Sequence, residues 1–208
     1  RRPPRSTLFP YTTLFQSILL IVGLARPQQF EGETQIKATG IDIVVAMDLS
    51  KSMAAEDFEV NGQRVNRLDI AKSVLEGFIE KRPGDRIGLV AFAGRAYIAS
   101  PMTLDHDFLL QNLRRLNMNT IEDGTAIGSG LSASLNRLRD LDSKSKIVIL
   151  MTDGQNNSGK IPPLTAAEAA ETIGIKVYTI GVGTRGKAPM PYTDVFGQRR
   201  YQLVDVSI

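Results

Sequence analysis

The chain contains no cysteine, no tryptophan and a single histidine, His106. Disulfides and thiolate-held metals are therefore excluded, as is a zinc site built on several histidines. A serine hydrolase would have one candidate base. His106 lies in "TLDHDF", a helix start, where a surface or capping role fits it better. No G-x-S-x-G elbow and no P-loop pattern is present. "GVGTRG" (181–186) ends a late strand with no helix after it and reads as a turn. No apolar run reaches the roughly 20 residues that a membrane-spanning helix needs. A strong excess of one charge is also missing. The formal charge is +3 and the isoelectric point about 9.2. Residues 1–17 carry Arg1, Arg2 and Arg5 and no acid, so the remainder holds 22 basic residues of the 25 against all 22 acidic ones. The basicity belongs to the amino-terminal tail, and a nucleic-acid-binding surface is not expected.

What remains is a chain of 208 residues, 42% hydrophobic, which suits one domain with a real core. Residues 1–17, "RRPPRSTLFPYTTLFQS", show no helical or strand period. They read close to LFPYTTLFRS, one translation of a common sequencing adapter. The segment reads as an adapter artefact or a disordered tail, outside the fold. Residues 18–26 begin with eight uncharged, mostly apolar residues and end in Arg26. They read as the remnant of a transmembrane helix, with a signal-peptide core and a buried strand as alternatives. Residues 27–40 form a linker or first segment, and 41–208 the main domain.

Within that domain strands alternate with helices, the pattern of a mostly parallel sheet. "IDIVVAM" (41–47) is β-branched and apolar on both faces, as a central strand is. "RLDIAKSVLEGFIEK" (67–81) places Leu68, Ala71, Leu75 and Phe78 at helical spacing. "RIGLVAFAG" (86–94) is a second strand, with "AYIAS" as its antiparallel partner. Helices follow over 104–116, with Asp105 as cap, and over "GTAIGSGLSASLNRLRDL", whose early small residues permit close packing on a sheet. "KIVILMTDG" (146–154) is a strand, "PLTAAEAAETIG" a helix stopped by Gly174, and "KVYTIGVG" (176–183) another strand. Residues 184–208 suggest a loop or hairpin. The chain stops without a closing helix and is expected to be cut at both ends.

Ligands of open α/β sheets sit beyond the carboxyl ends of the strands. There the first strand delivers Asp48, Ser50 and Ser52, and the fourth delivers Asp153. Between them "IEDGTAIGSG" places Thr125 just before a helix. Each has a plain structural role open to it: Asp48, Ser50 and Ser52 as turn caps, Asp153-Gly154 as a turn pair. Together they are two carboxylates and three hydroxyls, hard oxygen donors suited to Mg²⁺ or Mn²⁺. Two acids balance a dication, and hydroxyls add coordination without charge. Such an ion stays electrophilic toward a carboxylate brought by a partner.

The motifs "DLSKS", "DGTAIG" and "LMTDG", in this order and strand context, resemble a von Willebrand factor type A domain with a metal-ion-dependent adhesion site. More narrowly, "LARPQ", "RPGDRIGLVAFAGRAY", "PMTLDHD", "EDGTAIGSGL" and "IKVYTIGVG" resemble the membrane-anchored aerotolerance-operon (Bat-type) proteins of bacteria, over residues 18–208. The resemblance implies a Rossmann-like, doubly wound, mostly parallel sheet with one antiparallel edge strand and helices on both faces, here truncated before its final helix. It implies that Ser50, Ser52 and Thr125 coordinate the metal directly, and Asp48 and Asp153 directly or through water. It implies no enzyme but a domain that binds an acidic residue of a protein partner through Mg²⁺. Other vWA or Bat-type proteins and a MoxR-type AAA+ ATPase system are the implied associates. The implied place is the bacterial inner membrane, with the domain on the periplasmic side. Lys51 departs from the family, which often has Gly there. Two rival readings are a structural membrane-anchored domain with a degenerate metal site and a Mg²⁺-dependent phosphoaspartyl phosphatase. The second needs an acid two residues after Asp48, where Ser50 stands.

Overall fold

The computed structural model describes residues 10–25, 40–184 and 186–206. The chain divides into two units, Arg1–Lys37 and Ala38–Ile208. In the first, helix α1 runs from Pro10 to Ala25. It therefore continues through the boundary expected at residue 17, and residues 10–17 are helical rather than irregular. The reason lies in Pro10. A proline at the first helical position loses an N–H that has no partner there anyway, and its fixed φ suits the helix. At about 1.5 Å per residue the helix is shorter than the ~30 Å hydrocarbon core. No helix among the described residues is long and apolar enough to cross a membrane. Arg26 and the linker up to residue 39 lie outside the described residues.

The second unit is built on β1 (Asp42–Asp48), β4 (Arg86–Phe92), β5 (Ala96–Thr103), β6 (Lys146–Thr152) and β7 (Lys176–Gly181), in the order β5-β4-β1-β6-β7. All neighbours are parallel except β5, which runs antiparallel along the edge. This is the doubly wound, mostly parallel sheet that the resemblance implies. Every residue of β1 is buried, and alternation sorts its side chains between two cores. Ile43, Val45 and Met47 face the layer of α2 (Arg67–Glu80) and α3 (His106–Arg115). Val44 and Ala46 face α4 (Ile127–Leu138) and α5 (Pro163–Thr172). Each buried aliphatic side chain is worth about 1.5–3 kcal/mol, which explains why a two-sided apolar run takes the centre of the sheet.

Local chemistry sets the helix ends. Asn66 caps α2 by accepting from Asp69 N, and Asp105 caps α3 by accepting from Phe108 N at 2.9 Å. His106 opens α3 with Nε2 3.0 Å from the Asp85 carbonyl, at the amino end of β4. That is the end of the sheet opposite Asp48. Gly174, at φ +69°, stops the turn after α5.

Two hairpins complete the unit. β2 (Phe58–Val60) and β3 (Gln63–Val65) are joined by Asn61 and Gly62, both at positive φ, as a two-residue primed turn requires. β8 (Gly186–Thr193) and β9 (Arg199–Val206) form the second, in the segment expected to be a loop or hairpin.

The small residues of α4 are needed for contact. A Cβ at Gly130 would stand 2.6 Å from the Phe92 ring, and one at Gly128 would stand 2.0 Å from the Ile161 carbonyl oxygen. The second obstacle is backbone and cannot rotate aside. Gly128→Ala is therefore expected to destabilise the domain by about 1–3 kcal/mol, and Gly77→Ala, with open space around it, to stabilise it slightly. Urea denaturation of both variants checks this; equal midpoints would contradict the packing.

Candidate metal centre

β1 and β6 are parallel neighbours in register, Met47 opposite Met151, so their carboxyl ends open side by side. β1 ends on Asp48. β6 ends on Thr152, and Asp153 is the next residue, one beyond the strand. The Asp48 carboxylate is held at both oxygens: Ser50 N donates to Oδ1 at 2.8 Å and Thr152 Oγ1 to Oδ2 at 2.6 Å. Ser50 Oγ lies 2.9 Å from Ser52 Oγ, and Ser52 Oγ donates to Asp153 Oδ1 at 2.7 Å. Four of the five expected ligands thus form one hydrogen-bonded chain, from Asp48 through Ser50 and Ser52 to Asp153.

The fifth, Thr125, stands on a loop fastened to the same sheet edge. Ala126 N donates to Ala93 O, and Gly94 N to Glu122 O, just past the end of β4. Asn157 Oδ1 accepts from Thr125 N, and Asn156 Oδ1 accepts from Ile127 N at the start of α4. Lys51 Nζ reaches Asp123 Oδ2 at 3.0 Å and bridges the serine loop to the threonine loop. The cation that departs from the family pattern is thus engaged by a neighbouring acid, whose carboxyl it holds below its ordinary pKa.

Asp48, Ser50, Thr125 and Asp153 are buried, and Ser52 is half-buried. Burial pushes the Asp48 carboxyl up to about 6, against the hydrogen bonds from Thr152 and Ser50 that favour its anion; the Asp153 charge adds a smaller push upward. Asp48 therefore lacks a compensating positive charge. The donor set is oxygen alone. Among the described residues no three His, Cys, Asp or Glu side chains gather around one point, so the set is two acids with hydroxyls and not an acid cage. A hard dication fits both the donors and the charge that Asp48 lacks.

Four further contributors lie outside the five expected ligands. Thr152 is the second donor to Asp48, and its place one residue before Asp153 in "MTDG" was the available signal. Asn156 and Asn157 hold the threonine loop. The fourth is Arg67, whose Nη1 donates to Asp153 Oδ2 at 2.9 Å while Nε and Nη2 bind Asp57. Arginine in the first turn of a helix opposes the helix dipole, and that misfit was the hint of a specific partner.

The von Willebrand factor type A domain model matches residues 42–191. An uncharacterised protein of Borreliella burgdorferi is 33% identical over 177 residues, which cover 85% of this chain and 51% of that protein. The chain thus spans about half the length of that relative. Among solved structures, an aerotolerance-related membrane protein from Bacteroides fragilis superposes with a TM-score of 0.68 at 27% identity, covering 79% of this chain and 82% of the other. BatB from Bacteroides thetaiotaomicron gives 0.70 at 27% identity, over 81% and 82%. Proximal thread matrix protein 1 of the mussel byssus, in a form with a zinc-occupied MIDAS motif, gives 0.55 at 25% identity, over 70% and 38%. With Bat-type, aerotolerance-related proteins among its structural neighbours, the chain belongs to the von Willebrand factor type A domain family.

Proposed function

We propose that this domain is a divalent-cation-dependent protein-binding module of a membrane-anchored bacterial protein, and not an enzyme. The observation that carries the reading is the hydrogen-bonded chain Asp48–Ser50–Ser52–Asp153 at the carboxyl ends of two central strands. Ser50, Ser52 and Thr125 would hold Mg²⁺ or Mn²⁺ directly, and Asp48 and Asp153 directly or through water. When bound, the ion would supply a Lewis-acid point for a carboxylate of a protein partner. The residues of the chain do the rest. Thr152 and Ser50 N fix the Asp48 carboxylate, the serine hydroxyls supply neutral donors, and the Asn157 side chain sets the height of the Thr125 loop. Zinc in the corresponding motif of a structural neighbour supports a dication here. A neighbour described as an aerotolerance-related membrane protein supports the membrane setting. On the family resemblance we place the domain on the periplasmic side of the inner membrane, in an envelope-stress complex with other vWA or Bat-type proteins and a MoxR-type ATPase.

One observation favours a second reading, a structural domain whose site holds no ion: Arg67 already balances Asp153. Calorimetric titration of Mg²⁺ and Mn²⁺ separates the two. Saturable binding that disappears in the Ser50→Ala/Ser52→Ala variant is expected. A well-folded protein that binds neither ion would leave the structural reading standing.

A further inference from the structure

Arg67 is the first residue of α2, and its guanidinium is wholly buried, with 0% of the side chain exposed. An isolated buried charge costs several kcal/mol, so its partners must fix it in place. Nε lies 3.1 Å from both Asp57 oxygens, Nη2 2.7 Å from Asp57 Oδ2, and Nη1 2.9 Å from Asp153 Oδ2. Asp57 also accepts from Thr184 N and Thr184 Oγ1, both at 2.9 Å. Gly183 closes the remaining side: a Cβ there would stand 2.7 Å from the guanidinium carbon. The group is clamped and cannot swing away when an ion arrives. Asp153 has Oδ2 on Arg67 and Oδ1 on Ser52 Oγ, so it can turn only one oxygen toward the serine pair.

We infer that Arg67 is a positioning residue and resident counter-ion of this site, leaving Asp153 only Oδ1 to turn toward an ion and weakening dication binding in proportion to the charge that Asp57 leaves unbalanced. This rests on the metal reading above. A dication restricted in this way keeps more of its charge for the partner's carboxylate. Asp57 is the regulator of the pair: it neutralises Arg67 from the side away from Asp153. The two residues must therefore act on metal affinity with opposite signs.

The experiment is calorimetric titration of Mn²⁺ and Mg²⁺ into the full chain at neutral pH, for wild type, Arg67→Gln, Asp57→Asn and the double variant, with a melting curve of each in chelator. Removing the cation is expected to tighten binding on the order of tenfold, and unmasking it by Asp57→Asn to weaken binding on the order of tenfold. The double variant should bind at least as tightly as wild type. It removes the Arg67–Asp57 charges together, so it tests the idea even where Arg67→Gln alone does not fold. A merely structural Arg67 would weaken binding in all three. The inference is overturned if Asp57→Asn is not weaker, if the double variant is not tighter than Asp57→Asn, or if folded Arg67→Gln is not tighter than wild type. Absence of binding in every form would instead overturn the metal reading, and the role of Arg67 with it.

Discussion

Asp48→Asn is expected to abolish Mg²⁺ and Mn²⁺ binding and, in the same protein, to raise the melting temperature of the metal-free form at neutral pH. Ordinary core positions do not combine these two effects. The Asp48 carboxylate is 0% exposed, and its hydrogen bonds come from a backbone N–H and a neutral hydroxyl. The nearby guanidinium is spent on Asp153 and Asp57. With its pKa pushed from 3.8 to about 6 by burial, holding the anion in the fold at neutral pH costs about 3 kcal/mol relative to the unfolded chain. Asparagine has the same shape. Its oxygen still accepts from Ser50 N, and its amide turns toward Thr152 Oγ1, which has lone pairs to offer. Part of the penalty is recovered, about 1–2 kcal/mol once the altered Thr152 bond is counted, or a few degrees in melting temperature. The negative charge a dication needs is gone. Scanning calorimetry in chelator and metal titration on the same sample read the two effects. A lower melting temperature would make Asp48 a structural cap, and binding that survives would remove it from the ligand set.

Much of this site was legible because it obeys short-range rules. "IDIVVAM" is apolar at every position, which only a strand covered on both faces can use, so Asp48 had to stand at the carboxyl edge of a central strand. "KIVILM" says the same of Asp153. The D-x-S-x-S spacing then puts two hydroxyls on the turn that follows. Sequence patterns carry no information on pairs far apart in the chain. Arg67 and Asp153 are 86 residues apart, and Ser52 and Asp153 are 101 apart. Only the second pair was reached, because motif order brought it together. Asn61-Gly62 is a strong hairpin signal in the sequence, and Asp57, just before that hairpin, is the partner of Arg67. Residues 1–17 show no helical period, yet Pro10 stands at the one position where a proline starts a helix instead of breaking it. Local chemistry was available in both cases, and what decided them was position relative to an element boundary.

The affinity for Mg²⁺ is expected to fall about tenfold for each pH unit below about 6, and to level off above it. The cause is competition between the ion and a proton for the Asp48 carboxylate. The sign in the metal-free protein is opposite to the usual carboxylate case. The folded-state pKa lies above the 3.8 of the free side chain, so between 3.8 and about 6 the folded protein holds the extra proton. The contribution of Asp48 is thus most favourable at low pH and is lost as pH rises through about 6. Asp57 has the ordinary sign. Burial alone would raise its pKa, but the hydrogen bonds from Arg67 and Thr184 outweigh burial and lower it. Its stabilisation is therefore present above 3.8 and disappears as pH falls below that value, outside the window of Asp48. Melting temperature measured against pH should decline between about pH 4 and 6 in chelator and should not do so with saturating Mg²⁺. Binding enthalpies near pH 6 should depend on the buffer, because each ion bound releases on average about half a proton there, and that dependence should vanish in Asp48→Asn. Parallel melting curves with and without Mg²⁺ across this range would mean that the ion, if it binds, does so without touching Asp48.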